Sequence, residues 1–145
     1  MHALSYPATL RAVEKGSEYV VHFVNLPEAV TGGRTRIEAS DEAADCLGSS
    51  LAFRMKDKQA IPAPSKPRRG QQLIQVPLWL APKLALYIAM QEQGLRNTDL
   101  AGKLRCHESA VRRLLDPHHA SRPEKLEAAL AALGKRLAFL MDDAA

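Results

Sequence analysis

Cysteine is scarce: Cys46 and Cys106 are the only two in 145 residues, too few for a multi-bridge disulfide framework. They fall in segments that read as separate units, so both are expected as reduced thiols in a cytosolic protein. No apolar run approaches the ~20 residues that span a bilayer, and no membrane association is expected. Met1 to Leu10 has neither the basic head nor the apolar stretch of a signal peptide. There is no internal repeat, no low-complexity tract and no glycine-rich loop of the kind that cradles phosphate. Ser49-Ser50 has no base and orienting group patterned around it, so nucleophilic catalysis has no support. What is present is a globular composition, 46% hydrophobic and 25% charged, sufficient for one ordinary domain or two small ones.

The net charge of +4 is unevenly spread along the sequence. Met1 to Lys66 carries eight Lys/Arg against eight Asp/Glu, whereas Pro67 to Ala145 carries twelve against eight. A basic second half beside a neutral first half points to an anionic partner for one part only, nucleic acid first among the choices.

The first half reads as β structure followed by a helix. Leu4, Tyr6, Ala8, Leu10 and Ala12 alternate with mostly polar neighbours, the period of a strand with one buried face. Glu14 to Ser17 supplies a turn, and Tyr19 to Val24, apolar on both faces, suits a central strand paired back as a hairpin. Ala29-Val30-Thr31 reads as a short third strand ended by Gly32-Gly33. Thr35 and Glu38 have capping-box spacing, and Ala39, Ala43, Leu47, Leu51 and Met55 form the apolar stripe of the helix that follows. Cys46 adjoins that stripe as a small core residue. Ile61 to Gly70 is a proline-rich extended connector, after which Gln72 to Pro77 is expected to return as a last strand. The first unit is therefore β-β-β-α-β.

The second half is helical. Pro82 suits a first turn, Leu84, Ala85 and Ile88 follow, and Gly94 is a stop signal. Asn97 is expected to cap a short helix from Thr98 to Leu104. Another runs from Glu108 to Leu115 and stops before Pro117. Leu126, Leu130, Leu133 and Leu137 mark a last amphipathic stretch interrupted at Gly134.

The stretch Leu100 to Leu115 carries the chemistry. Leu100, Leu104, Val111 and Leu114 point into one small core, Ala101 is small where two helices approach, and Arg105 to His107 is a short turn. This pattern resembles the compact helix-turn-helix DNA-binding domains of phage-repressor type. It departs from them at Arg105, where that family has glycine because φ is positive; a left-handed non-glycine residue costs roughly 1–2 kcal/mol. The resemblance implies that His107, Glu108, Ser109 and Arg112, flanked by Arg113, enter a major groove, while Thr98 and Lys103 hold backbone phosphates. Arginine donates two hydrogen bonds to guanine O6 and N7, and Ser and His reach base edges or phosphates. Cys106, His107, His118 and His119 fit no common zinc spacing, and Cys106 stands where the motif takes a buried apolar residue; no metal or cofactor is expected.

Across nearly its whole length the chain resembles HicB-type antitoxins of HicAB toxin–antitoxin pairs. The resemblance rests on Tyr6-Pro7-Ala8-Thr9-Leu10, on Val21 to Thr35 with its Asn25-Leu26-Pro27-Glu28-Ala29 core, on Ile61 to Ser65 and on Val76-Pro77-Leu78. The helix-turn-helix stretch, Asp116-Pro117-His118-His119-Ala120 and Ala132 to Lys135 complete it. It implies an α+β fold: residues 1–78, connector 61–70 included, form a degenerate ribonuclease-H-like unit that binds and masks a small RNA-cleaving HicA-type toxin. Residues 79–145 form an all-α helix-turn-helix domain that dimerises and represses its own operon at operator DNA, the chain assembling as a dimer or tetramer. The toxin would meet exposed parts of the first unit, an edge strand and the Glu28 to Gly33 loop.

The residues themselves argue against an active nuclease. Two-metal chemistry needs several carboxylates on one cation pair, and Tyr6 to Val13 carries none. Asp41, Glu42 and Asp45 fall on the first-half helix, where a solvated face accounts for them. The alternative from another class is a stand-alone transcriptional regulator whose first unit senses a small ligand.

Overall fold

The computed structural model describes residues 4–14 and 18–143. The chain divides into two compact units, 1–81 and 82–145. The first contains β1 (Ser5–Val13), β2 (Glu18–Phe23), β3 (Val30–Gly33), α1 (Arg36–Lys56) and β4 (Gln71–Gln75). The sheet is antiparallel with order β3-β2-β1-β4. The second contains α2 (Ala81–Glu92), α3 (Asn97–Leu104), α4 (Glu108–Leu115) and α5 (Pro123–Ala132). The fold is thus mixed α+β, an antiparallel sheet followed by helices. The turn at Lys15 to Ser17 lies outside the described residues.

Directly paired residues share a sheet face, and the register puts Tyr6 beside Ile74, Ala8 beside Phe23 and Leu10 beside Val21. Tyr6, Ala8, Val21, Phe23 and Ile74 are buried, and α1 packs across the sheet with Ala39, Ala43, Leu47, Leu51 and Met55 buried in turn. That stripe recurs every four residues, as the helical period requires. On the opposite face Pro7 is buried, but His22 is exposed, with Val24, Val30 and Leu73 each about half exposed. The two-faced burial expected for β2 is therefore not met: Val21 and Phe23 are buried, whereas His22 and Val24 are exposed.

Two further expectations are corrected. β3 does not stop before its glycines: Gly32 and Gly33 are its last two residues, paired with Val20 and Tyr19. A Cβ on Gly33 would stand 2.5 Å from the Ala39 nitrogen, so glycine is what lets α1 start against the strand. The charge asymmetry is the other, because the proline-rich connector and its arginines belong with the first unit. The Tyr6 hydroxyl donates to the Pro62 carbonyl at 2.7 Å, and the Ser65 amide donates to Asn25 Oδ1 at 3.1 Å, binding the connector to the sheet. Division comes later, between Ala81 and Pro82. With Arg68 and Arg69 thereby in the first unit, each unit carries ten Lys/Arg and eight Asp/Glu, and the charge asymmetry counted from Lys66 disappears.

α1 begins as its sequence dictates: the Glu38 amide donates to Thr35 Oγ1 at 3.0 Å, and the Glu38 carboxylate accepts from the Arg34 amide at 2.9 Å. Near its end, Arg54 pairs with both carboxylate oxygens of Glu28, which draws the β2–β3 loop onto the helix. That hydrogen-bonded guanidinium lowers the pKa of Glu28. Cys46 is half-buried beside the stripe and burial pushes its thiol up, the behaviour of a packing residue.

Candidate nucleic-acid interface

The second unit is built around α3 and α4. Leu100 and Val111 are fully buried, Ala101 and Leu114 nearly so, and Leu104 packs against them from the edge. Leu86, Ala89 and Met90 of α2 and Leu126, Ala129, Leu130 and Leu133 of α5 close the same core. Gly94 and Gly134, at φ +63 and +73, end α2 and α5 as left-handed stops, and Leu137 lies half-buried on the core beyond Gly134.

α3 and α4 are separated by Arg105, Cys106 and His107 alone. Arg105 adopts φ 52 and ψ 47, and the amides of Arg105 and Cys106 fold back on Gly102 and Ala101. The chain therefore turns in left-handed geometry without glycine. Cys106 does not occupy a buried position; its thiol is exposed in the turn. Among the described residues no three His, Cys, Asp or Glu side chains come close enough to hold a metal, and Cys106, His107, His118 and His119 do not converge.

The start of α3 lies one residue before the expected one. Arg96 is the N-cap, and its amide donates to Asp99 Oδ2 at 2.8 Å, which holds the Asp99 carboxyl below its ordinary range. Asn97, released from capping, donates instead to Glu108 Oε1 at 3.2 Å and ties the two helix starts together.

Of the residues singled out in the sequence, Thr98 is exposed in the first turn of α3 and Lys103 is exposed in its last. His107 is exposed as the N-cap of α4 and gives it no side-chain cap. Ser109 is half-buried, and Arg112 and Arg113 are exposed. Glu108 is half-buried and engaged internally: besides Asn97 it meets Arg112 Nε at 2.9 Å, one turn along. Exposed i,i+4 pairs contribute only about 0.3–0.5 kcal/mol, so this pair orients Arg112 without locking it. Lys103, Arg105, Arg112 and Arg113 thus place four exposed cations within eleven residues.

A residue that the sequence reading passed over holds the far end of α4. Lys83 of α2 is 3% exposed, and its ammonium donates to the Arg113 carbonyl at 2.9 Å, the Leu114 carbonyl at 3.2 Å and Ser121 Oγ at 2.8 Å. All three protons are used, two of them on carbonyls in the last turn of α4, where Arg113 also accepts from the Asp116 amide. Burial lowers the pKa of Lys83, and nearby Asp116 opposes that shift. The signal was available: Lys83 stands three and seven residues before buried Leu86 and Met90, on their stripe.

In the first unit, β3 and β4 form the sheet edges. Val30 is exposed on β3, whereas Ala29 just before it is buried. Asp41, Glu42 and Asp45 are all exposed along α1. No helix among the described residues is long and apolar enough to cross a membrane.

Comparison with known proteins bears on both units. Residues 5–85 match the family described as "HicB_like antitoxin of bacterial toxin-antitoxin system". The chain is 35% identical over 138 residues to Antitoxin HicB of Escherichia coli K12, covering 95% of this chain and 99% of the relative. Two antitoxins of Photorhabdus laumondii, HicB 1 and HicB 2, are 32% and 34% identical, covering 96% and 92% of this chain and 88% and 94% of their own lengths. The family is one of antitoxins and not of enzymes. This chain belongs to the HicB-like antitoxin family.

Proposed function

We propose that the chain binds and masks a small RNA-cleaving HicA-type toxin through its first unit and represses its own operon through its second. The observation that carries this reading is the extent of the similarity, which runs through both units and covers 99% of a relative named as an antitoxin. In the first unit, the sheet edge from Glu28 to Gly33, with Glu28 and Val30 exposed, is the contact surface offered to the toxin. In the second, α3, the left-handed turn at Arg105 and α4 act as a helix-turn-helix. Arg112 reads a base edge with His107 and Ser109 beside it, Thr98, Lys103 and Arg113 hold phosphates, and Glu108 fixes Arg112. Two second units, paired, meet a palindromic operator in the cytoplasm.

The test is to express the small reading frame adjacent to this gene alone and together with this chain. Growth arrest relieved by co-expression, with both products eluting as one complex, is expected. A harmless or non-binding neighbour overturns the antitoxin reading and brings forward a regulator whose first unit senses a ligand. For the DNA half, Arg112→Ala is expected to weaken operator binding by about 1–3 kcal/mol and to leave random DNA nearly unaffected. An equal loss on both makes Arg112 a phosphate contact.

A further inference from the structure

Beyond Gly134 the chain runs on as Lys135-Arg136-Leu137-Ala138-Phe139-Leu140-Met141-Asp142-Asp143, two cations, five apolar residues and two carboxylates, outside any helix or strand. Leu137 is half-buried against the core of the second unit, but Phe139, Leu140 and Met141 are 71, 86 and 101% exposed. Consecutive large apolar side chains in water, on backbone with no ladder partner, form a template for strand pairing.

The order of the charges identifies the partner. When two copies of this segment run antiparallel with Phe139 opposite Phe139, Ala138 faces Leu140, Leu137 faces Met141, Arg136 faces Asp142 and Lys135 faces Asp143. Every cation meets a carboxylate and every apolar residue meets another. A shift of one residue sets Arg136 against Met141, or Leu137 against Asp142. A parallel pairing sets cations on cations. We propose that Lys135–Asp143 is a self-complementary strand that joins two copies of the second unit as an antiparallel ribbon centred on Phe139.

Strand alternation places Leu137, Phe139 and Met141 on one face. Leu137 already lies on its own core, so the ribbon carries Phe139 and Met141 to the same side, where the partner's Leu137 and core edge are. Lys135 has a competing neighbour in Glu92 at 3.5 Å. Arg136 and Asp142 therefore set the register, and two-fold symmetry makes that pair twice.

This inference rests on the reading above that the second unit self-associates, and one experiment separates the two. Sedimentation of the full chain is measured for the wild type, Arg136→Asp, Phe139→Asp and the double exchange Arg136→Asp with Asp142→Arg. The wild type is expected to associate, each single variant to weaken one association step by about tenfold or more, and the double exchange to restore it within about threefold. In a Cys106→Ala background, Phe139→Cys is expected to cross-link two chains under mild oxidation, since antiparallel partners at the centre lie within disulfide reach. Association unaffected by either single variant overturns the ribbon and leaves self-association standing on another surface. Weakening without restoration by the double exchange overturns the antiparallel register. A wild type that stays monomeric overturns both.

Discussion

The two units carry the same count of charges, ten basic and eight acidic each, and use them differently. In the first unit, charged and polar groups close loops onto the sheet: Arg54 draws in Glu28, Tyr6 holds Pro62 and Asn25 holds Ser65. In the second, four cations between Lys103 and Arg113 are left exposed with Glu108 as their engaged acid, and the buried ammonium of Lys83 ties α2 to the end of α4. Placement, not sum, distinguishes a surface able to meet an anion from one that is bound up in its own fold.

The comparison can be broken most strongly at glycine. A methyl group on Gly33 would meet the Ala39 nitrogen at 2.5 Å and its Cα at 2.9 Å, backbone that cannot swing aside. Gly33→Ala is expected to destabilise the first unit by about 3 kcal/mol or more. Denaturant melts followed by the fluorescence of Trp79, the only tryptophan, would show it. A loss under about 1 kcal/mol would mean that α1 is not seated on β3 so closely.

Lys83→Met is the counterpart in the second unit. It keeps the aliphatic stem and removes three hydrogen bonds, so a loss of about 2 kcal/mol is expected in helical circular dichroism melts. An unchanged or raised stability would show that burying the ammonium costs as much as its three hydrogen bonds return.

Tyr6 sharpens the contrast through pH. Burial pushes its phenol up to about 12, against the pull of Arg54. The folded value lies above the unfolded one, so the contribution is complete below pH 10 and is lost as pH rises from there through about 12. Over that window the wild type should lose up to about 1.4 kcal/mol per pH unit more than Tyr6→Phe does. At neutral pH the variant should be less stable by about 1 kcal/mol, from the lost bond to Pro62. Parallel pH curves for the two proteins would count against burial as the cause.

The smallest effect has the opposite sign. Gly102 in α3 has open space where a Cβ would go and no positive φ, so Gly102→Ala should stabilise the second unit by about 0.5–1 kcal/mol. The same substitution chemistry thus reverses sign between the units, because one glycine sits under a helix and the other faces open space.

Elements governed by neighbours in sequence were legible in it. α4 has the expected limits because Pro117 stops it and its apolar period is short and strong. Thr35 caps α1 because a capping box is a local device. What escaped depends on distant residues: the pairing of Gly32 and Gly33 as part of β3 needs Val20 and Tyr19 beside them, and the closeness of Ala39 to Gly33 needs α1 in place. The prolines of 61–70 look like a linker until Tyr6 reaches Pro62. Asn97 is the better capping residue by type, but Asp99 serves the Arg96 amide and so moves the start of α3. In the candidate interface, the positions of Arg112 and Arg113 could be read from α4 alone, whereas the support from Lys83 required α2 to be in place.

The position of β1 sets an order of events during synthesis. One side of it pairs with β2, which follows almost at once, but the other side waits for β4, which begins at Gln71. At about 5–20 residues per second the ribosome needs roughly 3–12 s to add the intervening stretch. For that interval the nascent first unit has an open inner edge, while α3 and α4, separated by three residues, can pair as soon as they emerge.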